Sequence, residues 1–176
     1  MILLSAISCI ALAQDKNYYL HRNNVSVVWK VAPLKDVGDN ISALLPTSYT
    51  TRHWVDAVIP GTVFSSYVAA GLEKDPNFGD NIYKVDKVKY DRPFVSRPEF
   101  EIPPSLDKSK IWLNFHGINR KGEIYFNGKS LGVLDGFMHR GKFDITPYVN
   151  KAGKNVLVVV VQIPEHPLNN YGSPTY

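Results

Sequence analysis

Cysteine is nearly absent from these 176 residues: Cys9 is the only one. A chain with a single thiol has no disulfide framework and no cysteine-rich metal cluster. Charge of one sign is missing too. The 20 Lys and Arg are interspersed with 16 Asp and Glu, leaving a net charge of +4 without a basic stripe. A nucleic-acid interface needs clustering on one face, so the charge pattern argues against a nucleic-acid partner. Long hydrophobic runs are lacking. The uncharged stretch Met1 to Ala13 falls short of the roughly 20 residues a membrane-spanning helix needs. The five histidines, His21, His53, His116, His139 and His166, show no H-x-x-x-H spacing. Neither a phosphate-cradling glycine loop nor a nucleophile elbow is present. No cofactor and no metal is therefore expected.

The first residues are MILLSAISCIALAQDK. They match the apolar region of an export signal, with Ala11-Leu12-Ala13 as the cleavage site before Gln14, although the usual basic start is missing. Cleavage there leaves a mature chain from residue 14 without cysteine. A second reading makes Cys9 a lipidated first residue, preceded by Ala6-Ile7-Ser8. Both readings take the protein out of the cytoplasm, to the periplasm or beyond. Residues 1–13 are set aside as a signal, and 14–176 form one domain with a core over about 25–164.

Most of that domain reads as short strands. SVVWKVA at 26–32 mixes Val and Trp in period two. Residues 35–52 are polar, with Gly38 and Pro46, and read as loop. Val55 to Ile59 is a short strand turned by Pro60-Gly61. Thr62 is a suitable N-cap for a helix over Val63 to Ala70, which Gly71 ends. Asp75-Pro76-Asn77-Phe78-Gly79 is dense in turn formers.

Further on, FVSRPEFEIP at 94–103 alternates. KIWLNF at 110–115 puts Ile111, Leu113 and Phe115 on one face and Trp112 and Asn114 on the other. EIYF at 123–126 leads into Asn127-Gly128, which tolerate the positive φ of a type I′ hairpin turn. Thr146-Pro147 suits a single helical turn. NVLVVVVQI at 155–163 is apolar on both faces and reads as a central strand. The fold class is all-β, a sandwich with one short helix.

The motifs together resemble a known family. WVDAVIPGTVFSSYVAAG with the following DPNFGDN is similar to the start of the sugar-binding domain of glycoside hydrolase family 2. LNFHGINRKGEIYFNGKSLG resembles that family's strand, Phe-x-Gly-Ile, strand and Asn-Gly hairpin. GKFDITPYV resembles its Asp-Ile-Thr turn, and GKNVLVVVVQIP its closing strand. The likeness runs in order from about Trp54 to Pro164. Within the family, PGTV with DPNFG looks most like the β-mannosidase and exo-β-glucosaminidase branch. One departure is Tyr90-Asp91-Arg92-Pro93-Phe94, where those members usually show Trp-Phe/Tyr-Arg.

The resemblance implies a jelly-roll β-sandwich of the galactose-binding type. It also implies a neighbouring sandwich domain and a (β/α)8 barrel, the barrel carrying two catalytic glutamates, the acid/base following an Asn. None of the five glutamates here, Glu73, Glu99, Glu101, Glu123 and Glu165, follows an Asn. Retaining hydrolysis needs two carboxyl groups about 5–5.5 Å apart. Glu99 and Glu101 share a strand face, which is most simply a solvated edge. No residue inherits a catalytic role, and the irregular stretch up to Tyr176 reads as the end of an incomplete enzyme.

Carbohydrate contact is the remaining chemistry. Asp75, Asn77, Asp80 and Asn81 place hydroxyl-binding groups near Phe78, unless they cap turns instead. Trp54 and Trp112 offer rings for stacking, unless they are packing residues, Trp54 against the 63–70 helix. Arg140, in FMHRGKF, is a further candidate. Three readings follow: a non-catalytic piece of an exported β-glycosidase, a free-standing carbohydrate-binding module or lectin, and an interaction domain without a ligand.

Overall fold

The structure is a computed structural model. It describes residues 17–163 except 22, 39 and 107–109. The signal readings, Cys9 and the tail from 164 lie outside the described residues.

Eight strands are present in the described region: β1 (Val28–Pro33), β2 (Val55–Asp56), β3 (Phe94–Glu101), β4 (Trp112–Phe115), β5 (Lys121–Phe126), β6 (Lys129–Asp135), β7 (Gly141–Asp144) and β8 (Lys154–Gln162). Six of them make one sheet in the order β2-β1-β3-β8-β5-β6, and β4 pairs with β7 in a second. Every pairing is antiparallel. The expected all-β sandwich is therefore the observed fold.

Strand β8 sits inside the large sheet, and its valines explain why. Val156, Val158 and Val160 face one side; Leu157 and Val159 face the other, and all five are buried. A half-exposed strand would alternate with polar residues; a strand covered on both faces does not. On the second side the cover is the β4–β7 pair. Leu113 and Ile145 pack there with Trp29, Phe100, Ile124, Phe126, Leu157 and Val159. Burying one such side chain contributes about 1.5–3 kcal/mol.

The first side is closed by the segment between β1 and β2. Within the stretch read as loop, two single turns form, α1 (Leu34–Val37) and α2 (Ile41–Leu44), the second capped by Asn40 accepting from Ser42 N. Leu44 and Trp54 pack there onto Ala32, Val95 and the even-numbered valines of β8. The main helix, α3 (Val63–Ala69), begins at Thr62 in a reciprocal capping box: Thr62 Oγ1 accepts from Ser65 N at 3.0 Å, and Ser65 Oγ accepts from Thr62 N at 2.9 Å. Gly71, with φ +71, follows the helix, as expected of a residue that takes the left-handed conformation.

The β5–β6 hairpin turns at Asn127 and Gly128, with φ 45 and 82. Both are positive, as a type I′ turn requires. A register shift between Ile124 and Tyr125 places one extra residue in β6.

Candidate functional site

Asp75, Asn77 and Asn81 come together on one loop. Asp75 Oδ1 accepts from Asn77 N at 2.9 Å and from Asn77 Nδ2 at 3.0 Å. Asn81 Nδ2 donates to Asp75 O at 2.9 Å. Asp80 in turn accepts from Lys84 Nζ at 2.7 Å. These polar groups bond to one another and to the backbone, the turn-capping use of Asx side chains. Beside them Phe78 is 77% exposed.

The other two candidates lie elsewhere. Trp54 is 7% exposed, in the cluster under α1 and α2, edge-on to Tyr49 at 5.9 Å. Its neighbours are Leu44 and the β8 valines rather than the 63–70 helix, so the expected packing partner is corrected. The reason is topological: Trp54 precedes β2 on the side that the 34–54 segment covers. Arg140 is exposed in the turn before β7. Among the described residues, no hydrogen bond, ion pair or ring contact joins Trp54 or Arg140 to the 75–81 loop. Trp112 is half-exposed on the outer face of β4, with Lys142 Nζ 4.5 Å and Lys110 Nζ 5.9 Å from its ring centre.

On β3 the Glu99 carboxylate is tied down, while Glu101 is exposed. Glu99 Oε1 accepts from Arg97 Nη1 at 2.6 Å, and Oε2 lies 3.4 Å from Lys154 Nζ. They border an open groove of about 1010 Å³ lined by Lys30, Tyr49, Arg97, Glu99, Glu101 and Lys154. Arg97 itself is 1% exposed. Its Nε donates to Leu44 O at 2.9 Å and its Nη2 to Pro46 O at 2.7 Å, so one guanidinium fastens the 34–54 segment to the sheet. Sequence reading missed this residue. The signal was a cation at the position that alternation assigns to the same buried face as Val95.

A second cluster was also missed. Glu73 Oε1 accepts from Lys89 Nζ at 2.5 Å and from the Tyr90 hydroxyl at 2.8 Å. Those two donors hold the Glu73 carboxyl below its usual range. Burial, then the bond to Glu73, raises the Tyr90 phenol above its own. Tyr90 stacks on Phe94 and meets Tyr67 edge-on at 5.6 Å, joining the pair to α3. Among the described residues no three His, Cys, Asp or Glu gather as a metal site, and no helix is long and apolar enough to cross a membrane.

The antiparallel two-sheet fold defines a scaffold of the galactose-binding kind. Residues 40–171 match the glycosyl hydrolase 2 galactose-binding domain-like family. The chain belongs to that family. It is 32% identical over 140 residues to a mannosylglycoprotein endo-β-mannosidase of Lilium longiflorum, covering 76% of this chain and 14% of that protein. It is 25% identical over 137 residues to an exo-β-D-glucosaminidase of Streptomyces avermitilis, covering 76% and 15%. Among solved structures, a β-D-mannosidase from Dictyoglomus thermophilum superimposes with a TM-score of 0.60 at 27% identity, over 78% of this chain and 15% of that one. An Amycolatopsis orientalis exo-chitosanase superimposes with a TM-score of 0.69 at 22% identity, over 77% and 16%, which shows the fold alone. The chain thus spans about 15% of the relatives it matches.

Proposed function

We propose that this chain is the non-catalytic N-terminal domain of a family 2 β-glycosidase of the β-mannosidase and exo-β-glucosaminidase branch. The observation that carries this reading is the coverage: three quarters of the chain matches only 14% of the lily enzyme and 15% of the bacterial one. The chemistry agrees. Glu99, the best-placed carboxylate on β3, is neutralised by Arg97 and Lys154, and Glu73 by Lys89. A nucleophile and a proton donor need two carboxyls free to face one glycosidic bond.

Purified chain incubated with chromogenic β-mannoside and β-glucosaminide is expected to release no chromophore. Turnover that survives rigorous purification overturns the proposal.

The supporting role is to present a wall or a sugar contact to a catalytic barrel. Export fits a glycan-directed protein, with residues 1–13 as its signal and 14–176 as the mature domain. Mass spectrometry of the cell-made protein is expected to find Gln14 first; a lipidated Cys9 gives the anchored form instead.

A second reading is a free-standing carbohydrate-binding module. It is favoured by the exposed ring of Phe78 beside Asp75, Asn77 and Asn81, with Trp54 and Arg140 as the more distant candidates. Calorimetric titration with mannose, glucosamine and galactose oligomers separates the two. Binding at millimolar or tighter affinity supports the module, and silence supports the enzyme domain.

A further inference from the structure

Strand β4 turns Leu113 inward, so Trp112 and Asn114 stand on the outer face of the small sheet. The register sets Asp144 of β7 against Trp112, and Lys142 against Asn114. All four are exposed, the indole by 42%. An indole left this open presents a large apolar face to water. Two cations flank it. Lys142 Nζ lies 4.5 Å from the ring centre and Lys110 Nζ 5.9 Å, within the range of a cation–π contact. Among the described residues, neither ammonium is in ion-pair distance of a carboxylate. Asp144, the acid opposite Trp112, is committed elsewhere: its Oδ1 accepts from Thr146 N at 3.0 Å. Bonds from Thr146 hold its carboxyl below the usual range, with a smaller pull from Lys110.

We propose that this face binds an acidic sugar residue, a uronate of a glycan, with the pyranose over Trp112 and its carboxylate between Lys110 and Lys142. The C–H face of a pyranose is apolar while its hydroxyls lie at the rim, so it packs flat on an aromatic face. A uronate carries its carboxylate directly on the ring. The charge therefore stays at the edge of the stack, where the two ammoniums stand. A carboxylate is a stronger partner for Lys142 than the indole, because a hydrogen bond between two charged groups exceeds an exposed cation–π contact. The long lysine stem lets the ammonium swing off the ring without moving the strand. Asn114, opposite Lys142, adds an amide donor and acceptor for a ring hydroxyl. Paired strands fix these side chains more firmly than a loop would. The inference goes beyond both readings above, since it holds for an enzyme domain and for a free module alike.

The test titrates the chain by calorimetry with a short oligogalacturonate, and with a neutral galactose oligomer of the same length as control. The uronate is expected to bind at millimolar or tighter affinity, and the neutral oligomer at least about tenfold more weakly, the worth of one charged hydrogen bond. Lys110→Met and Lys142→Met keep the stems and are each expected to weaken the uronate about tenfold. Trp112→Ala is expected to abolish binding and Trp112→Phe to keep part of it. Added salt is expected to weaken the uronate and leave the neutral control unchanged. Thermal midpoints of the lysine variants are expected to match the parent, because both side chains are exposed.

Uronate that does not bind at millimolar concentration overturns the proposal. Equal affinity for the neutral oligomer overturns it too, as does binding that survives Trp112→Ala. Oligothymidylate held more tightly than the uronate, through Trp112 and both lysines, makes the face a single-strand nucleic-acid platform and overturns it as well. Chromophore release in the turnover test bears only on the enzyme-domain reading, so the two fail separately.

Discussion

The side chain of Asn127 donates to the side chain of Asn155, Nδ2 to Oδ1, at 2.7 Å. Asn127 sits in the hairpin turn between β5 and β6; Asn155 is fully buried at the start of β8. Around this bond the polar accounting is nearly complete. Asn127 Oδ1 accepts from Val156 N at 2.8 Å, and its Nδ2 also reaches Tyr148 O at 2.7 Å. Asn155 accepts from Asn150 N and donates to Asn150 O and Gly153 O. The hairpin turn is thereby fastened to the turn that launches the central strand.

Asn155→Ala is expected to destabilise the protein by about 2–4 kcal/mol, since it strands several buried partners at about 1–3 kcal/mol each. Asn127→Gly is the sharper test. Turn preference alone makes glycine nearly neutral at a position with φ 45. The lost bonds to Val156, Tyr148 and Asn155 instead predict a loss of about 1–3 kcal/mol. Urea unfolding measures both, and a neutral Asn127→Gly shows that the network contributes nothing.

Arg97→Lys should be costly although charge is kept. A lysine ammonium is a point donor and cannot reproduce the fork that reaches Leu44 O, Pro46 O and Glu99 together. A loss of about 1.5–3 kcal/mol is expected, the worth of a hydrogen bond made by a charged group. Hydrogen exchange is expected to speed up first in residues 34–54. Uniform exchange with an unchanged midpoint contradicts the fastening role.

Acid sensitivity follows from Glu73. Lys89 and Tyr90 depress its folded pKa below the usual 4.5. A depressed carboxyl contributes stability that is present above its unfolded pKa and is lost as pH falls through the folded one. Stability is therefore expected to decline from about pH 5 downward, and Glu73→Gln to flatten that decline. An NMR titration placing the Glu73 midpoint at or above 4.5 refutes the assignment.

The capping box makes a prediction about coupling. Thr62→Ala and Ser65→Ala are each expected to cost about 1 kcal/mol, and the double variant less than their sum, because each hydroxyl serves the other's backbone N–H. Thermal unfolding of the three variants decides it. Strict additivity indicates two independent contacts.

Most local patterns were legible to within a residue or two, but the strand foreseen at Val55–Ile59 is only Val55–Asp56. The strand foreseen at 155–163 lies at Lys154–Gln162, the helix foreseen at 63–70 lies at Val63–Ala69, and Thr62 caps it. The alternation in β4 holds: Leu113 is buried while Trp112 and Asn114 are exposed. The helical turns α1 and α2 were missed because they are single turns in a polar segment, held by packing of Leu44 rather than by periodicity. For the candidate site, the Asp75, Asn77 and Asn81 loop was legible as turn chemistry. Trp54 was not placeable, because a tryptophan's exposure depends on which segment folds over it.

By itself the sequence determined the strand positions, the Asn-Gly turn, the cap of α3 and the family. The first three rest on residues close together in the chain, where period, φ preference and side-chain reach are set locally, and the family rests on the order of such local motifs from about Trp54 to Pro164. Only the tertiary structure decided that β8 lies between β3 and β5, that Arg97 is buried against Leu44 and Pro46, and that Glu73 closes loop 74–88. Those facts join residues from 16 to 53 positions apart or strands paired across the sheet, and no local preference encodes such pairings.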